Sequence, residues 1–180
     1  MSISIPDTVS VPEEKGDAPT ELQQSENGFV APERLRDSLQ RVLVDLVCLH
    51  NVGKQAHWNI VGQNFRDLHL NLDELVDVAR EGADAVAERM RALHATADGR
   101  PSVVAAQTTL PEFPAGEIST HDAIREMVRA IESCTGTMRE VHDGVDADDP
   151  TSADILHEYI AGLEQQAWFI GAEIRKPRKQ

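Results

Sequence analysis

Between His69 and Glu88 the chain carries two pairs of potential metal ligands spaced four residues apart, His69 with Asp73 and Asp84 with Glu88. On an α-helix, side chains at that spacing lie one above the other and can converge on a single ion. At about 100° per residue, with His69 at zero, Asp73, Asp84 and Glu88 fall near 40°, 60° and 100° and make one polar stripe. Leu68, Leu72, Leu75, Val76, Ala79, Ala83, Val86, Met90 and Leu93 fall between about 240° and 340°, an apolar stripe beside it. Imidazole with carboxylate suits iron, manganese or zinc better than a thiolate-seeking metal. At about 1.5 Å rise per residue, however, Asp73 and Asp84 are roughly 16 Å apart, so one helix cannot wrap all four groups around one metal. Two copies packed antiparallel about a two-fold axis near Val78 bring His69 and Asp73 of one against Asp84 and Glu88 of the other. Two equivalent sites result, about 22 Å apart across the axis. His57, at the end of the preceding apolar stripe, can add a second imidazole. Asp77, near 80° on the same face, is read as a partner of Arg80 rather than as a ligand.

Long helices must hold these groups in place. Leu35, Leu39, Val42, Leu43, Leu46 and Val47 make a stripe that predicts a first helix from Pro32 to about Ile60, and helical steps extend it to His50, Lys54 and His57. Gly62 breaks the chain, and a second helix is predicted from Phe65 to His94, ending before Asp98-Gly99-Arg100-Pro101. Residues 98–119, with Pro101, Pro111 and Pro114, read as a crossover holding at most a short helix over Val103 to Thr108. A third helix is predicted from Thr120 to around Asp143, and a fourth from Thr151, as N-cap, to about Arg175. The fold class is therefore all-α, a ferritin-like four-helix bundle whose long crossover joins helices 2 and 3. The domain plan is a flexible arm over 1–31, the bundle over 32–175 and a short basic tail over 176–180.

Composition agrees with that plan and narrows the partners. Aromatic residues are 4% of the chain, which disfavours a β-sandwich. The arm over 1–31 holds three prolines and six acids against the single base Lys15. A net charge of −14 disfavours a general nucleic-acid binder and favours cations. No apolar run approaches the roughly 20 residues that span a bilayer, and no signal-like segment opens the chain, so a cytoplasmic location is expected. Cys48 and Cys134 are far apart and read as helix-packing residues rather than a disulfide or a zinc motif. His50, His94, His121, His142 and His157 show no matching partner in sequence and read as structural or surface residues.

The run Gly53-Lys54-Gln55-Ala56-His57-Trp58-Asn59, followed by Gly62, Phe65, Leu68-His69, Asp73 and Asp84 through Ala87-Glu88-Arg89, resembles the signature of the Dps family in order and spacing. Trp168 in the last helix is consistent with it. The resemblance implies His57, His69, Asp73, Asp84 and Glu88 as ferroxidase ligands shared between two-fold-related subunits, in a homo-dodecameric shell. It implies oxidation of Fe(II), preferably by hydrogen peroxide, storage of ferric oxyhydroxide and protection of DNA from oxidative damage. Trp58 resembles the family tryptophan beside the site, and Lys54 the family lysine near it, there to pair a carboxylate. The acidic stretch from His142 to Asp154 resembles the turn that lines the pores at the shell's three-fold axes, which makes Asp149 and Asp154 candidates for iron entry, against a plain capping role.

Classical ferritins carry Glu-x-x-His motifs, and this chain contains none. The remaining alternative is a nucleoid-compacting protein with little catalysis. DNA binders of the family resemble one another in lysine-rich tails, whereas the arm here is acidic and the only basic run is Arg175, Lys176, Arg178 and Lys179. Weak or no direct DNA binding is expected, with association at the nucleoid limited accordingly.

Overall fold

The computed structural model describes residues 28–177. Most of the arm expected over 1–31, and residues 178–180 of the expected tail, lie outside the described residues.

The elements are α1 (Glu33–Asn59), β1 (Ile60–Val61), α2 (Phe65–Ala92), α3 (Pro101–Gln107), β2 (Ile118–Ser119), α4 (Thr120–Asp148) and α5 (Pro150–Ala172). α1 and α2 form one antiparallel hairpin and α4 and α5 another, and the two join through α1 against α4 and α2 against α5. Leu35, Leu39, Leu46 and Leu49 of α1, Leu68, Leu72, Leu75 and Met90 of α2, and Ile124, Met127 and Ile131 of α4 are fully buried in one core. The apolar stripes predicted from the sequence are thus the faces that meet. Val47 and Ala83 are exceptions, only partly covered at the margin of the core.

Helix boundaries differ from the sequence prediction at several places: α3 starts two residues before Val103, α5 ends at Ala172 rather than near Arg175, and the α4–α5 junction is shifted. α4 continues to Asp148 instead of stopping near Asp143, because Gly144 keeps a negative φ and Val145 is buried one turn further on. What ends it is Pro150, whose ring disfavours the α conformation at the residue before it. That residue, Asp149, has extended geometry and caps α5 in place of Thr151, accepting a hydrogen bond from the Ser152 N–H at 3.2 Å while Pro150 takes the first helical turn.

The crossover is fastened at two places. Asp45 of α1, 1% exposed, accepts hydrogen bonds from Thr108 Oγ1 (2.9 Å), Thr109 N (2.8 Å), Thr109 Oγ1 (2.7 Å) and Thr137 Oγ1 (2.7 Å). A buried carboxylate needs such donors to offset its lost hydration. At the far end β2 pairs in parallel with β1, Ile60 opposite Ile118 and Val61 opposite Ser119. The parallel sense follows from the path, since the crossover returns the chain to the end of the bundle where α1 finished.

Candidate metal centre

The last turn of α1 and the first turns of α2 face each other across the turn around Gly62 and Asn64, both at positive φ. Gly53 lets the helices approach closely there, since a Cβ on it would lie 2.8 Å from Val76 Cγ2. That approach sets Lys54 and His57 of α1 against His69 and Asp73 of α2.

His57 is buried, and His69 and Asp73 are half-buried. The two imidazoles stack at 3.6 Å between centroids, with Phe65 beside His69 at 5.2 Å. Each ring is clasped by the other residue's backbone: His57 Nδ1 is 3.0 Å from the His69 carbonyl, and His69 Nδ1 is 3.1 Å from the His57 carbonyl. A carbonyl only accepts, so each Nδ1 carries the proton and each neutral ring keeps its lone pair on Nε2. Asp73 Oδ1 lies 2.5 Å from Lys54 Nζ and 3.2 Å from His57 Nδ1. The hydrogen bond from Lys54 holds the Asp73 carboxyl below the ordinary aspartate range, against the opposing effect of burial. One ligand atom from each of His57, His69 and Asp73 lies within 4.8 Å of the others. Two imidazoles and a carboxylate are a donor set for a borderline divalent cation such as Fe(II).

The other two predicted ligands are not part of this group. Asp84 and Glu88 lie further along α2 and are exposed. Trp58, next to His57, is 70% exposed. Asp77 pairs with Arg80 at 3.4 Å. Of the two candidates for iron entry, Asp154 is exposed, whereas Asp149 is buried and binds Arg89 Nη2 at 2.7 Å besides capping α5. Burial would raise the Asp149 carboxyl, but Ser152 and Arg89 together outweigh it and hold it below the ordinary range.

One cluster was missed by the sequence reading. His142 and His157, which show no partner in sequence, bring their Nε2 atoms to 2.6 Å across the α4–α5 hairpin. They are separated by a helix end, a proline and a cap, and no fixed spacing signals such a meeting.

A family model for the ferritin-like domain matches residues 36–179. DNA protection during starvation protein 2 of Deinococcus radiodurans is 32% identical over 135 residues, covering 75% of this chain and 56% of that protein. The DNA protection during starvation protein of Agrobacterium fabrum is 30% identical over 139 residues, covering 77% of this chain and 86% of its own length. The chain belongs to the Dps family. Solved Dps structures share its fold: that from Microbacterium arborescens, in its high iron form, superposes with a TM-score of 0.75 at 33% identity, over 82% of this chain and 99% of that one. Dps92 from Deinococcus radiodurans gives 0.77 at 30% identity, over 79% and 87% of the two chains. As in those Dps structures the framework is all-α and ferritin-like, and among the described residues no helix is long and apolar enough to cross a membrane.

Proposed function

We propose that this Dps chain forms a twelve-subunit shell that oxidises Fe(II), preferably with hydrogen peroxide, and stores the product as ferric oxyhydroxide. The observation that carries this reading is the division of one helix's ligands into two groups. His57, His69 and Asp73 converge within a single chain, while Asp84 and Glu88 stand exposed and apart from them on the same helix as His69 and Asp73. Antiparallel pairing of α2 with its copy would complete two sites, each with His57, His69 and Asp73 from one subunit and Asp84 and Glu88 from the other. The carboxylates favour Fe(III) as hard oxygen donors, and the small number of ligands leaves room for the oxidant.

Within that scheme the chain's own groups have separate tasks. The mutual carbonyl clasp aims both Nε2 lone pairs without needing a metal to orient the rings. Lys54 neutralises Asp73 until a cation takes its place. Trp58, beside His57, is placed to absorb stray oxidising equivalents. Two Fe(II) ions give one electron each to a peroxide, which takes up two protons and leaves as two waters, so no hydroxyl radical is released. Asp154 is the better candidate for the entry path, since the carboxylate of Asp149 is committed to Arg89 and Ser152. The bundle over 32–175 makes the wall of the shell. DNA is protected mainly by removal of iron and peroxide in the cytoplasm.

The test is anaerobic addition of Fe(II) followed by peroxide, with ferric absorbance and particle size followed over time. His57→Ala with His69→Ala should abolish the fast phase and leave the particle size unchanged. Equal rates in parent and variant would sink the assignment.

A further inference from the structure

The geometry points to a second cation site on each chain, built from His142 and His157, that takes an imidazole-seeking divalent ion of the Zn2+ or Cu2+ class. The two residues lie on α4 and α5, on the wall of a surface cleft of about 390 Å3 that Arg139 and Glu164 also line. His142 Nδ1 is 3.0 Å from Asp143 Oδ1, and His157 Nδ1 is 3.7 Å from Asp154 Oδ1. Only the first of these is within hydrogen-bond reach. An ionised carboxylate only accepts, so in a neutral His142 the proton is drawn to Nδ1 and the lone pair is left on Nε2. That atom faces His157 Nε2 at 2.6 Å.

Two ring nitrogens at that distance must share something electron-poor, a proton or a metal ion. A carboxylate hydrogen-bonded behind an imidazole, as Asp143 is behind His142, is also the arrangement that orients histidine metal ligands. Zinc–nitrogen bonds of about 2.0–2.1 Å in tetrahedral geometry hold two nitrogens roughly 3.3 Å apart, so the pair opens by about 0.7 Å on binding. Side-chain rotation of His157, which is 59% exposed, supplies that movement, while His142 at 25% exposure stays largely in place. The nearby cation Arg139 is neutralised by its ion pair with Glu164. Two nitrogen donors rank Cu2+ and Zn2+ above Mn2+ and Fe2+, and leave Mg2+ and Ca2+, which want oxygen, unserved. Water completes the coordination.

This site is independent of the oxidising centre, and the two are tested apart. The full chain carrying His57→Ala and His69→Ala is titrated with Zn2+ against a chromogenic chelator. One Zn2+ per chain should still bind with a defined affinity. Adding His142→Ala or His157→Gln should remove that binding, and Asp143→Asn should weaken it about tenfold by loosening the ring it orients. X-ray absorption of the Zn2+-loaded background chain should show two imidazoles per metal. Circular dichroism checks that the partly exposed substitutions leave the helices intact. Failure of the background chain to bind Zn2+ would overturn the proposal and show that the pair shares only a proton. Binding unaffected by His142→Ala and His157→Gln would overturn it equally, by placing the ion among surface carboxylates. Neither result touches the Fe(II) oxidation experiment.

Discussion

At the scale of single residues, the nearness of His69 and Asp73 was readable in the sequence because a helix converts a spacing of four directly into proximity. The same rule could not reveal Asp45, whose donors Thr108, Thr109 and Thr137 come from the crossover and from another helix. Replacing Asp45 with Ala should leave the Thr108 hydroxyl and the Thr109 N–H without their acceptor and cost roughly 3 kcal/mol, seen as a lower denaturation midpoint in urea. An unchanged midpoint would mean that the network adds nothing to the fastening of the crossover. Lys54 allows a finer test, because its ammonium holds the place at Asp73 that a cation needs. Lys54→Gln should tighten Co2+ binding at His57, His69 and Asp73. The gain should not exceed about fivefold, since an ion pair this exposed is worth about 1 kcal/mol or less. Weaker binding in the variant would show that Lys54 orients Asp73 rather than competing for it.

At the scale of elements, the starts of α1, α2 and α4 were legible from Pro32, the Gly62 break and the prolines of the crossover. β1 and β2 were not, since two residues carry no alternation to read. The end of α4 was misplaced because Asp143-Gly144 looks like a stop, while the effective stop lies in the steric demand of Pro150 on Asp149. That junction should also be sensitive to acid. Asp149 has a folded-state pKa below its unfolded value, so its contribution to stability is complete above the unfolded value and fades as pH falls through the folded one. Asp149→Asn should therefore lower the melting temperature by a constant amount between about pH 5 and pH 8, corresponding to roughly 2 kcal/mol. The gap between variant and parent should begin to narrow below about pH 4, the ordinary aspartate value, and close only once pH has fallen through the lower folded-state value. A gap that persists into acid would assign the loss to helix capping rather than to the charge pair with Arg89.

At the scale of the whole molecule, the rise of one helix, legible in the sequence, keeps Asp73 and Asp84 too far apart to share an ion. The second copy therefore belongs to the proposal, and its count of twelve rests on the family and not on any spacing. The charge of −14 per chain bears on DNA in the same way, since it is a property of the surface as a whole and opposes approach to phosphate. A gel shift with plasmid at physiological salt should show little or no retardation. If there is retardation, a chain truncated after Ile174 should lose it, because the basic run begins at Arg175. Retardation that survives truncation would contradict this view of the surface. The molecule also carries its own optical gauge: its two tryptophans, Trp58 and Trp168, are 70% and 62% exposed in the single chain. Both should emit as hydrated indoles while the chain is alone, and any blue shift on raising the concentration reports the closing of a subunit contact over one of them. Trp58 adjoins His57, so a paramagnetic ion at the proposed metal centre should quench its light before that of Trp168, and one emission spectrum would follow assembly and loading together.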